Sequence, residues 1–136
     1  MKSNLTQKFL TSALLASSLL FSIPAMADQL KETYVARLSN RDHFNSSGDR
    51  LDSAAAVIRQ DRANFHKFGK RDAEDENDDF FANARNRELL EKFLERGTAE
   101  KSALRTIMNG TPLVRVQVYT SDRTGQDYVR VTVIGN

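Results

Sequence analysis

Cysteine is absent from the 136-residue chain, which excludes disulfides, thiolate metal sites, cysteine nucleophiles and the acylated cysteine of lipoproteins. Tryptophan is absent too, and proline occurs only at Pro24 and Pro112. Histidine is limited to His43 and His66, so a two-histidine metal site would need both, together with a carboxylate. No G-x-S-x-G elbow, phosphate-binding Walker loop or H-E-x-x-H pair is present. No apolar run reaches the roughly 20 residues that span a bilayer.

What is present begins with "MKSNLTQK", whose only charges are Lys2 and Lys8, then "FLTSALLASSLLFSI" and "PAMA". A basic start, a short apolar stretch and small residues at Ala25 and Ala27 have the form of a secretory signal peptide. Residues 1–27 are therefore expected to be removed, leaving residues 28–136 as one exported domain in the bacterial periplasm or the medium, with no stable membrane anchor. That leader holds two of the 20 lysines and arginines and none of the 18 acids, so the expected domain carries 18 charges of each sign. The basic isoelectric point belongs to the leader, and a balanced domain has no net field to collect nucleic acid.

Along residues 28–136 the apolar spacing changes period. Leu30, Tyr34 and Leu38 fit a helix while Tyr34, Ala36 and Leu38 fit a strand, which leaves 33–38 open between the two. Residues 39–48 are polar and read as a loop. Asp49 is a possible N-cap for a helix carrying Leu51, Ala54, Ala55, Ile58, Phe65 and Phe68, stopped at Gly69. In "KRDAEDENDDFF" the spacing of Asp75, Asn77 and Asp79 invites a calcium loop, but Phe80 and Asn86 stand where glycine and a bidentate glutamate belong. An acidic first turn capped by Asp72, or a solvated loop, is the simpler expectation. Asn86 and Thr98 are placed to cap helices over 87–96 and 99–108, joined tightly at Gly97 as an αα-hairpin.

At the C-terminus the period becomes two. Val114, Val116 and Val118 share one face, Val129, Val131 and Val133 another, and "DRTG" suits a type I turn between them. Setting Val116 opposite Val131 brings Tyr119 opposite Tyr128. The fold expected from this pattern is a small, mainly helical α+β domain of three to four helices, closed by a C-terminal antiparallel hairpin. Its order of elements is similar to that of a winged-helix DNA-binding domain, with 99–108 as recognition helix and 113–134 as wing, although export and zero net charge argue against DNA.

Two groups of residues could carry function. Asp61 falls inside the apolar stripe of the first helix, with Arg62 at its margin and His66 one turn on; with His43 in the preceding loop these could form an acid–base set. The stronger reading is structural: Asp61 anchors the fold by accepting backbone N–H groups from the "RDHFNSSGDR" loop or by pairing with an arginine such as Arg41, Arg50 or Arg85. The second group is the outer hairpin face, where Arg115, Gln117, Tyr119, Tyr128, Arg130 and Thr132 mix arginine and aromatic character, as interfaces do. No metal or cofactor motif accompanies either group. The expected function is a non-enzymatic binding module with a protein partner in the cell envelope; the alternative is a small periplasmic or secreted hydrolase.

Overall fold

The computed structural model describes residues 26–136, so all of the expected leader but Met26 and Ala27 lies outside the described residues. The architecture is α+β, but the mainly helical domain with a terminal hairpin is overturned. Among the described residues a four-stranded mixed sheet in the order β1-β3-β4-β2 organises the fold, with four α-helices. The strands are β1 (Gln29–Arg37), β2 (Thr98–Ala99), β3 (Leu113–Thr120) and β4 (Asp127–Gly135), and the helices are α1 (Ala54–His66), α2 (Ala84–Glu88), α3 (Leu90–Arg96) and α4 (Lys101–Asn109).

The ambiguous N-terminal segment resolves as strand because β3 needs a partner on its second edge. β1 runs antiparallel along all of β3, from Gln29 opposite Thr120 to Arg37 opposite Leu113, with an irregularity between Leu30 and Glu32. Unpaired backbone groups on a buried strand are too costly to leave, so sheet pairing decides where local periodicity cannot. β3 and β4 adopt the register of the valine alternation: Val116 faces Val131, Val114 faces Val133 and Tyr119 faces Tyr128. Their connection is wider than a type I turn over "DRTG". It is closed from Gly125 N to Ser121 O at 2.7 Å and from Ser121 N to Gln126 O at 2.9 Å, and Gly125 takes the left-handed φ of 67° that such a closure requires.

One sheet face is the core. Tyr34, Ala36, Val114, Val116, Val118, Val129 and Val131 pack with Val57, Ile58, Phe81, Leu90, Phe93 and Ile107 from the other side of the layer. Helix α1 starts later than Asp49, because Ser53 is the residue whose side chain accepts a hydrogen bond from Ala56 N at 3.2 Å. It ends before Phe68, which is left 45% exposed instead of joining the stripe. Asn83, not Asn86, caps the next helix by accepting from Arg85 N. Thr98 is no cap: with Ala99 it forms β2, parallel to β4 at Arg130 and Val131, and this strand replaces the tight helix–helix join. With β1 ahead of α1 and β2 between α3 and α4, the order of the described elements departs from the winged-helix one.

The acidic run 72–80 contains no helix. It closes the outer edge of β1 instead. Val35 N donates to Glu76 Oε2 at 2.8 Å, Glu76 N donates to Val35 O at 2.9 Å, and Arg37 N donates to Asp75 Oδ1 at 2.8 Å. Reciprocally, Glu32 accepts from the backbone of Asp79 and Phe80, each at 2.8 Å. Carboxylates thus stand in for a fifth strand.

Candidate functional site

The first group of sequence candidates is folded inward. Arg62 is fully buried and Asp61 is 2% exposed. Arg62 Nε donates to Asp61 Oδ2 at 2.7 Å, and Nη1 donates to Asp78 Oδ1 at 2.9 Å and Glu76 O at 3.1 Å. The guanidinium carbon lies 4.4 Å from the Tyr34 ring centroid and 4.5 Å from that of Phe65. Two aromatic faces, the Asp78 carboxylate and the oxygens of Asp61 and Glu76 therefore replace the water that the cation loses. Arg62 Nη2 and the Tyr34 hydroxyl have no hydrogen-bond partner among the described residues. Burial pushes the Asp61 carboxyl up to about 8, against the pull of Arg62. It likewise drives the Tyr34 hydroxyl well above its ordinary value. Burial also opposes the charge on Arg62, but the oxygens of Tyr34, Asp61 and Asp78 hold its guanidinium above the ordinary arginine value.

His66 joins this cluster through Nε2, 2.8 Å from Asp78 Oδ1. Asp78 also accepts from Phe81 N at 2.6 Å, which fixes the turn after the acidic run. His43 is elsewhere and buried: Nδ1 is 3.0 Å from Ser39 O and Nε2 is 2.7 Å from Ile107 O, tying the 3-10 turn Asn40–His43 to the end of α4. The neighbouring Asp42 accepts from Asn64 Nδ2 at 2.8 Å, and burial raises its carboxyl. Asp61, Arg62 and His66 are thus brought together and His43 is not.

The arginines expected to pair with Asp61 are engaged otherwise. Arg41 pairs with Asp72, Arg50 donates to Met108 O, and Arg85 takes part in the α2 cap through its backbone. Adjacent residues on a helix ordinarily diverge, which is why the Asp61–Arg62 pairing was not foreseen. Asp78 was hidden within a run of acids, and its one local signal is the two phenylalanines that follow it. No group of three or more histidine and carboxylate side chains able to hold a metal ion occurs among the described residues, and Asp75 spends its carboxylate on Arg37 N and Asp72 N.

The second group lies on the sheet face turned away from the helices. The Tyr119 and Tyr128 rings stack with centroids 5.4 Å apart and planes 11° from parallel. Arg130 covers the stack, its guanidinium carbon 4.6 Å from the Tyr119 centroid and 5.7 Å from that of Tyr128. Arg115, Arg130 and Thr132 are exposed, and Gln117 and Tyr119 half-exposed. Tyr128 differs, being only 8% exposed: its hydroxyl donates to Asp28 Oδ2 at 2.6 Å and accepts from Arg130 Nη2 at 3.3 Å. It supports the face and Tyr119 presents it.

Neither a protein-family model, a curated protein nor a solved structure matches the chain. Among the described residues no helix is long and apolar enough to cross a membrane.

Proposed function

We propose that this protein is a non-enzymatic binding module of the bacterial periplasm or of the secreted fraction, and that its sheet face of Arg115, Gln117, Tyr119 and Arg130 engages a protein partner of the cell envelope. The observation that carries the reading is the contrast between the two groups. Acid–base residues need access to substrate, yet Arg62 is sealed between Tyr34 and Phe65, and its carboxylate partners are buried with it. The face, by comparison, offers rigid aromatic area and exposed guanidinium groups at low entropic cost.

The test is a pull-down from envelope extract with the wild-type protein and with Tyr119→Ala and Arg115→Glu, each verified as folded by circular dichroism. One stoichiometric partner, retained by the wild type and lost in both variants, is expected. A hydrolase screen that finds turnover abolished in a folded His66→Ala variant would overturn the reading.

A further inference from the structure

Three arginines from three separate elements meet at one end of the sheet. A cleft of about 340 Å³ is lined by Arg96, Thr98, Ser121, Arg123, Thr124 and Arg130, with Asp28 and Tyr128 beside them. Backbone geometry brings them there. Gly97 passes so close to β4 that a Cβ on it would lie 1.7 Å from Val129 O, and this contact carries Arg96 to the sheet edge, where its Nη1 reaches Asp127 O at 3.4 Å. The parallel pairing of β2 sets Thr98 beside Arg130. The turn closed at Ser121 and Gly125 folds Arg123 and Thr124 over the same opening.

The charge in this cleft is only partly compensated. Among the described residues none of Arg96, Arg123 and Arg130 forms an ion pair. The single lining carboxylate, Asp28, is already occupied by the Tyr128 hydroxyl at 2.6 Å and by Asp122 N at 3.2 Å. The carboxylate of Asp127 turns away to Lys31 and Thr120. Three guanidinium groups against one carboxylate leave an excess of two positive charges, with the hydroxyls of Thr98, Ser121 and Thr124 as neutral hydrogen-bonding groups around them.

We propose that this cleft is an oxyanion site that takes a phosphate group, free or as a monoester, with Arg96, Arg123 and Arg130 as its cationic donors. A dianion matches the excess charge where a carboxylate would leave half of it unpaired, and the guanidinium fork suits the spacing of phosphate oxygens. The site goes beyond the protein-binding face and shares only Arg130 with it: Arg96 and Arg123 lie outside that face, and Arg115 and Tyr119 outside the cleft.

Calorimetric titration of the purified protein at constant ionic strength tests this with inorganic phosphate, glycerol 3-phosphate and acetate. Vesicles of phosphatidylcholine with phosphatidic acid are tested by co-sedimentation. Saturable binding of phosphate or its ester with a Kd below about 1 mM is expected. Arg123→Ala, in an exposed turn, should weaken it by about tenfold or more, the loss of one charge-assisted hydrogen bond, while Arg115→Ala leaves it unchanged. Vesicle binding abolished by Arg123→Ala would identify a lipid source for the monoester, and glycerol 3-phosphate binding without vesicle binding a soluble one. Acetate binding as tightly as phosphate, equal losses in the two arginine variants, or no saturable heat would each overturn the assignment.

Discussion

Arg62 lies over the ring of Tyr34 inside the protein, the guanidinium carbon 4.4 Å from the ring centroid, although one belongs to α1 and the other to β1. Since Arg62 also holds Asp78 and the Glu76 carbonyl, this one side chain joins the first helix, the first strand and the segment that covers that strand's edge. Arg62→Ala leaves the buried Asp78 carboxylate without its cation and the Asp61 carboxyl without its donor, and urea unfolding at pH 7 should show a loss of about 3–5 kcal/mol. Arg62→Met with Asp78→Asn removes the charges together, and the pair should recover part of that loss.

The buried acids give stability a pH dependence of defined sign. Asp61 is pushed up to about 8 in the folded protein and Asp42 is raised as well, whereas aspartate in an unfolded chain titrates near 3.9. The folded state therefore holds a proton on Asp61 that the unfolded state releases. This contribution is complete below about pH 4 and is lost as pH rises towards 8, by at most about 1.4 kcal/mol per pH unit for one proton. Unfolding midpoints in urea from pH 5 to 8 should fall, and Asp61→Asn should flatten the slope. A slope unchanged in Asp61→Asn would show that Asp61 is ionised in the folded state.

The protected edge makes a third prediction. Glu76→Ala removes the side-chain acceptor of Val35 N and loosens the segment whose backbone returns the bond. A cost of about 1 kcal/mol is expected, since the exposed donor can turn to water. The larger effect should be on association, because an uncovered strand edge is a template for another chain. Light scattering at raised protein concentration should therefore detect oligomers in the variant before the wild type.

The C-terminal strands and their register were legible because Val114, Val116 and Val118 alternate cleanly against Val129, Val131 and Val133, and both strands border one turn. The same rule could not settle β1, where Tyr34 and Leu38 satisfy both periods and the deciding partner is β3, far along the chain. β2 is two residues long and has no periodicity at all; a hydroxyl before a helix reads as a cap until the neighbouring strand is known. The Asp61, Arg62 and His66 cluster was legible as a polar break in an apolar stripe. Its meaning was not, because Tyr34 and Asp78, which turn it into a sealed anchor, come from segments whose placement depends on the whole sheet. Sequence marked Tyr128 as part of the outer face but could not foresee that Asp28 would cover it.

Among the described residues β1 comes first and has one strand neighbour, β3, which follows about 75 residues later, Gln29 being paired with Thr120 and Arg37 with Leu113. During synthesis from the N-terminus onward, β1 has no strand among the described residues to pair with until β3 has emerged. Such pairings of high sequence separation slow folding, since the closure entropy of the intervening chain is lost before the contacts form. The segment that covers β1 emerges well before β3 does, so its carboxylates are the first partners that the strand can meet. In the mature fold they guard an edge; in the growing chain they are placed to shelter a strand that is still waiting for its mate.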